Sequence, residues 1–513
     1  QPQTKTEAAQ TRPAGSSPPQ SASGAEQAPA KKPERQRADT SKLPKGGPDP
    51  TLSLPPVQRR QLANGLQVLI VEHHEQPVVQ MNLVVKTGGA ADPAERAGLA
   101  STTASMLDEG TKTRSTLDIS NQLAAIGANL NTGAGWDAST ASLLTLTRHL
   151  DRALDIYADV LMNPSFPADE LGRLRAQRLA AFKQRRDNPN QIADIVYPAL
   201  IYGRQHPYGH PLTGDESSIG TTTVDDVRRF YETYYRPNNA ALIVVGDVTP
   251  ASIMPKLERA FGKWEQKHVP AVDVTAAALP RDKATIYIVD RPGSAQSVLT
   301  IGHVGVPRST PDFFPLLVMN RILGGQFMSR VNMNLRENKG YTYGARTSFD
   351  YRRGAGLFAA AADVQSFSTK ESVAEFLKEL RGIRGEMPVT QEELEYNKQG
   401  IIRGFPSGFE TPAQIAFQLQ NVVVNDLPDD YFNNYIQNVR AVTLQDLNRV
   451  ANRYLDPAKM AILVVGDRSQ IEAGLRTLPE VGDTISVLDP EGRPATVNTS
   501  GTGGPGGGSN PRR

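Results

Sequence analysis

The chain has no cysteine among its 513 residues. Disulfides, thiolate metal ligands and thiol nucleophiles are therefore excluded. No run of about 18 apolar residues occurs, so no transmembrane helix is expected. Charge of one sign is also lacking: the net charge of +2 gives no strong pull toward nucleic acid or an anionic membrane. No Gly-x-Ser-x-Gly elbow is present, which removes the commonest serine-hydrolase signature. Residues 1–50 hold no aromatic residue, nine prolines, and Leu43 as their only large aliphatic. Such a segment cannot bury enough apolar surface to offset chain entropy, so 1–55 reads as a disordered tail. The Gly-rich end, within 486–513, reads as a flexible tail. A first residue of Gln1 rather than Met fits an exported form, secreted or periplasmic, whose signal has been removed.

What is there between the tails has α+β character. "RRQLANGLQVLIVEH" places Asn64-Gly65 between two β-rich runs, a hairpin signal. Strands are expected at 78–89 and 139–146, and helices at 97–108 and over "TLDISNQLAAIGANLNT" to about Gly127. "HLDRALDIYADVLMNP" puts Leu150, Leu154, Tyr157 and Leu161 on one helical face. Residues 223–247 and 443–467 then align without a gap, from Thr223/Thr443 through Pro237/Pro457 to a shared Val-Val-Gly-Asp. Each copy reads as a Thr-capped helix, a proline break and a buried strand. The chain is thus two copies of one unit, 56–265 and 283–485, with a Pro- and Ala-rich linker at 266–282. Each copy should be an antiparallel sheet with helices packed on it, the two forming a clamshell.

"GLASTTASMLDEGT", "MNPSFPADELGRLRAQRLA", "HPYGHPLTG", "YYRPNNAALIVVGD", "LGGQFMSRVNMNLRENKGYTYG" and "IIRGFPSGFETP" together resemble the pitrilysin/insulinase family of zinc metallopeptidases, including mitochondrial processing peptidase subunits. The resemblance covers roughly residues 56–485. Active members carry His-x-x-Glu-His after Gly-Leu-Ala, because two histidines one helical turn apart can hold one zinc beside a general base. Gly98-Leu99-Ala100 and Met106-Leu107 fix the register here. The ligand positions are then Ser101 and Ser105, the base position is Ala104, and the distal Glu position is near Ala181. None of the four can do that chemistry, so no metal is expected in this chain. The pair His206/His210 is separated by Pro207 and Gly209, and structural hydrogen bonding is the expected role.

The resemblance also implies a role for the second half, where an Arg and a Tyr seven residues on face the zinc. Here they are Arg336 and Tyr343, expected near a helix end capped by Gly340 and on the following strand. They would bind substrate and stabilise the oxyanion formed on a peptide carbonyl. Gly324-Gly325 could approach a substrate backbone, or simply form a tight turn. The strand near Ser139–Leu146 could offer an edge to a peptide, with Asn129 and Asn131 in the turn before it. Two functions follow as expectations. In one, the chain is no peptidase alone but the zinc-less subunit of a heteromeric zinc metalloendopeptidase, with zinc in a homologous partner and peptides as substrates. In the other it is an inactive structural or peptide-binding homologue, like the family-related core subunits of a respiratory complex.

Overall fold

The computed structural model describes Gly47 and residues 54–428, 430–479 and 485–495. The expected tails therefore lie largely outside the described residues. Within them, aliphatic runs form twelve strands in two six-stranded sheets. The first half contributes β1 (Gln58–Gln61), β2 (Gln67–Glu72), β3 (Val78–Val85), β4 (Asn129–Ala134), β5 (Ser139–Leu146) and β6 (Ala240–Gly246), in the order β1-β2-β6-β3-β5-β4. The second contributes β7 (Thr285–Asp290), β8 (Gln296–Val304), β9 (Thr342–Phe349), β10 (Leu357–Gln365), β11 (Ala461–Gly466) and β12 (Ile485–Leu488), in the order β12-β7-β11-β8-β10-β9.

The sequence repeat sits at the centre of both sheets. β6 runs parallel to β2 and antiparallel to β3. β11 runs parallel to β7 and antiparallel to β8. Both sheets are thus mixed rather than purely antiparallel. The outer strands break the symmetry, since β1 pairs antiparallel with β2 while β12 pairs parallel with β7. β12 also carries the folded chain past its expected end at 485.

The first half has eight helices among the described residues. They are α1 (Leu99–Ser105), α2 (Thr116–Ala124), α3 (Leu150–Met162), α4 (Ala168–Arg185), α5 (Pro189–Tyr202), α6 (Glu216–Thr221), α7 (Val224–Tyr234) and α8 (Pro250–Phe261). The second half has α9 (Phe313–Leu323), α10 (Arg330–Asn332), α11 (Thr369–Arg381), α12 (Gln391–Gly404), α13 (Pro412–Val424), α14 (Tyr431–Ala441), α15 (Leu444–Tyr454) and α16 (Arg468–Leu475). α10 runs on as a wider π turn from Met333 to Asn338. Thr223 and Thr443 close matching capping boxes with Asp226 and Asp446 at the starts of α7 and α15.

One face of each sheet packs on its own helices. The other face is covered by a helix of the opposite half. α5 of the first half lays Val196 and Tyr197 against Val298, Leu463 and Val465 of β8 and β11. The Tyr197 hydroxyl donates to the Phe358 carbonyl at 2.7 Å. α13 of the second half lays Ile415, Leu419 and Val423 against Val84, Ile243 and Val245 of β3 and β6. The two shells of the clamshell are therefore latched through shared apolar cores. Residues 266–282 run along this seam, where Leu279 N–H donates to Ile201 O at 3.0 Å.

Candidate functional site

Gly98 sets the entry to α1. Its φ of 86° lies in the left-handed region, and an added Cβ would meet the Gly214 backbone nitrogen at 2.6 Å. Asp92 accepts hydrogen bonds from Gly98 and Ala100 N–H, each at 2.8 Å. Burial pushes its carboxyl up to about 8, against those N–H groups and the nearby Arg178. Leu99, Ala100 and Ala104 are buried in the core. The frame around the zinc-ligand positions is thus held by packing and by one buried acid. α1 itself is shorter than expected, ending at Ser105 rather than near residue 108.

A cation stands among the ligand positions. From α4, Arg178 Nη1 donates to Thr102 Oγ1 at 2.9 Å. Its Nη2 donates to Ser101 Oγ at 3.1 Å and to Ser105 Oγ at 3.2 Å. Burial lowers the guanidinium pKa, and the charge of Asp92 acts the other way. Ala104, at the base position, is fully buried, while Ala181 on α4 is exposed. Neutral hydroxyls around a guanidinium do not suit a zinc ion, which takes imidazole or carboxylate donors in the absence of thiolates. Among the described residues, no group of three or more His, Asp or Glu is placed to hold a metal.

The histidine pair is structural in its contacts. His206 stacks on Tyr202 at 4.5 Å, its Nε2 lies 3.0 Å from Ala276 O, and its Nδ1 accepts from Tyr208 N–H. His210 is buried against Trp136 at 5.6 Å with neither ring nitrogen hydrogen-bonded among the described residues, so the expected hydrogen bonding holds for His206 alone. Burial pushes both imidazoles down. His74 instead pairs with Asp247 at 2.8 Å.

In the second half, Arg336 lies in the π turn after α10, over the Phe327 ring at 4.6 Å and 3.4 Å from Glu337. Gly340 reverses the chain at φ 69°, and its N–H donates to Arg336 O at 3.1 Å. Tyr343 follows on β9 and is 87% exposed. β9 is the outermost strand of its sheet. A groove of about 490 Å³ runs beside it, lined by Asp194 and Tyr197 of α5 and by Tyr343 and Arg346.

Two expectations change here. Gly324 is buried against Thr347 of β9, whose N–H donates to Gly324 O at 3.2 Å. A side chain there would strike the Thr347 backbone, so Gly324 serves packing and is closed to a substrate. Gly325 remains exposed. The strand at 139–146 offers no edge, because β5 pairs with β3 on one side and β4 on the other. The edge is β4, which contains Asn129 and Asn131 and packs beside α1. The Gly and Asn content of "NLNTGA" hid that strand, since these residues favour turns. Arg178 was also missed, although it stands one helical turn before Ala181, the distal ligand position.

The fold and site define a two-lobed α+β chain of zinc-peptidase design whose metal positions hold no ligands. Family models agree. Insulinase (peptidase family M16) matches residues 67–214, and the peptidase M16 inactive domain matches residues 221–401. The chain belongs to the insulinase, or M16, peptidase family. It is similar to the crystal structure of a peptidase M16 inactive domain from Pseudomonas fluorescens, with TM-score 0.75 and 28% identity, covering 80% of this chain and 98% of that one. A protease structure from Helicobacter pylori shares the fold at TM-score 0.72 and 22% identity, covering 80% and 100%. The uncharacterized zinc protease YmxG of Bacillus subtilis is 23% identical over 67% of this chain and 82% of its own length.

Proposed function

We propose that this chain is the zinc-less subunit of a heteromeric M16 metallopeptidase acting on extended peptides outside the cytoplasm. A homologous partner brings zinc and the general base. This chain brings Arg336 and Tyr343, which bind the substrate backbone and stabilise the oxyanion formed on the attacked carbonyl. The observation that carries the reading is Tyr343: a tyrosine 87% exposed on an edge strand, where the core gives it no reason to be. The open edge strands β4 and β9 suit a peptide added as a further strand, and Gly325 lies exposed at the end of α9. Relatives named as zinc proteases support the metal-bearing partner.

The test is to purify the chain alone and mixed with a zinc-bearing homologue, then measure bound zinc and peptide hydrolysis. Hydrolysis only in the mixture, lowered about 10²- to 10³-fold by Tyr343→Phe or Arg336→Ala, is the expected result. Stoichiometric zinc and proteolysis by the lone chain would overturn the reading. One observation favours a second function, an inactive structural or peptide-binding homologue: Arg336 is already engaged by Phe327 and Glu337. An active mixture indifferent to both substitutions supports that scaffold role.

A further inference from the structure

The resemblance to zinc-bearing relatives puts two ligands and the base on one helix and the distal Glu on another. The corresponding helices here are α1 and α4, and they are joined in another way. Arg178 reaches from α4 to three hydroxyls of α1. Two of those hydroxyls are set in advance. Thr102 Oγ1 donates to Gly98 O at 2.8 Å, and Ser105 Oγ donates to Ser101 O at 2.9 Å. Their protons are committed to the helix backbone, so their lone pairs are left to face the cation. The buried Asp92 accepts from the Gly98 and Ala100 N–H groups and so fixes the start of the same helix.

We propose that the metal site has been refilled as well as stripped: Arg178 replaces a divalent cation as the positive bridge between α1 and α4 and shuts the site to metals. Two physical effects act together. A guanidinium at hydrogen-bond distance from Ser101 and Ser105 takes the space that imidazole rings at those positions would need. Its charge repels a dication at a half-buried site, where screening is weaker than in bulk water. This holds whether or not the chain works with a partner.

Ligand restoration tests it. The variant Ser101→His, Ala104→Glu, Ser105→His, Ala181→Glu is compared with the same variant carrying Arg178→Val as well. Zinc is measured by metal analysis and by titration against a chelator, with circular dichroism reporting the fold. Zinc affinity should be about 10- to 100-fold higher once Arg178 is removed. Tight, stoichiometric zinc in the variant that keeps Arg178 would overturn the proposal, as would a folded variant without Arg178 that binds zinc no better. If the multiple variants do not fold, Arg178→Ala in the otherwise unchanged chain decides. Amide exchange should rise in both α1 and α4, and unchanged protection in both would refute the bridge.

Discussion

Leu419→Ala tests the exchanged helices most directly. Leu419 belongs to α13 of the second half, yet it is 4% exposed because it packs against the sheet of the first half. Truncating a buried leucine costs about 3 kcal/mol. The size of the cooperative unit sets what that does to the melting temperature. If the roughly 430 residues from 56 to 485 unfold together, the unfolding entropy is about 0.9 kcal/mol per kelvin, and Tm falls by about 3 °C. If each half unfolds alone, the entropy is about half as large, and one of two transitions falls by about 7 °C. Calorimetry distinguishes the two, and hydrogen exchange locates the effect. The expected result is a single transition with faster exchange in β3 and β6, across the seam from the substitution. Two transitions, or loosening confined to residues 283–485, would refute the latch.

Asp159→Ala should destabilise the first half by about 3 kcal/mol in urea unfolding, because it removes the buried acceptor of Thr111, Thr113 and Asn163 and leaves the Arg114 guanidinium, now 2.6 Å from it, with the exposed Asp155 as its remaining carboxylate. Burial opposes the Asp159 charge, but hydrogen bonds from Thr111, Arg114, Thr113 and Asn163 outweigh it and hold the carboxyl below its ordinary value. That stability is present above the ordinary value near 4 and fades as pH falls through the lowered one, so wild type and Asp159→Asn should converge in acid. A gap that widens on acidification contradicts the sign. Gly98→Ala should cost about 2 kcal/mol or more, from its positive φ and the approach of Gly214, and a loss under about 0.5 kcal/mol in chemical denaturation would show the frame is not tight. Thr223→Ala and Thr443→Ala should each cost about 1 kcal/mol and match within error, since both side chains close the same box; a large difference would show that the repeat is not equivalent at its caps.

Much of the fold was legible because its signals are local. The 220-residue offset between Thr223 and Thr443 marked the two halves, since a capped helix, a proline and an aliphatic strand are each written in adjacent residues. The face Leu150, Leu154, Tyr157 and Leu161 is buried as its spacing predicts. On α2 only Ile119 and Leu123 are buried, while Leu117 is 68% exposed because it lies about 200° around the helix from Ile119. The strand β4 escaped notice because Asn129, Asn131 and Gly133 outweigh its one β-branched residue, Thr132, and it forms because α1 and β5 hold it in place. No local pattern announces that α5 and α13 change places, since an apolar helix face does not say which sheet it will cover.

The site divides along the same line. Gly98, Leu99 and Ala100 made the zinc-peptidase frame readable, but each is also needed structurally. Gly98 makes a left-handed turn against Gly214, and Leu99 and Ala100 are buried in the core. Their presence is therefore required by the fold whatever the chemistry, and it carries no weight for activity. Ser101, Ala104 and Ser105 carry more, because the loss of ligands there is matched by a guanidinium from another helix, a compensation that only the folded chain displays. Tyr343 carries the most. No core packs around it, and it lines the groove beside an edge strand, which leaves its ring free to meet a ligand or partner. The functional reading accordingly stands on the residue the fold needs least, and a partner assay with Tyr343→Phe is the measurement that bears on it directly.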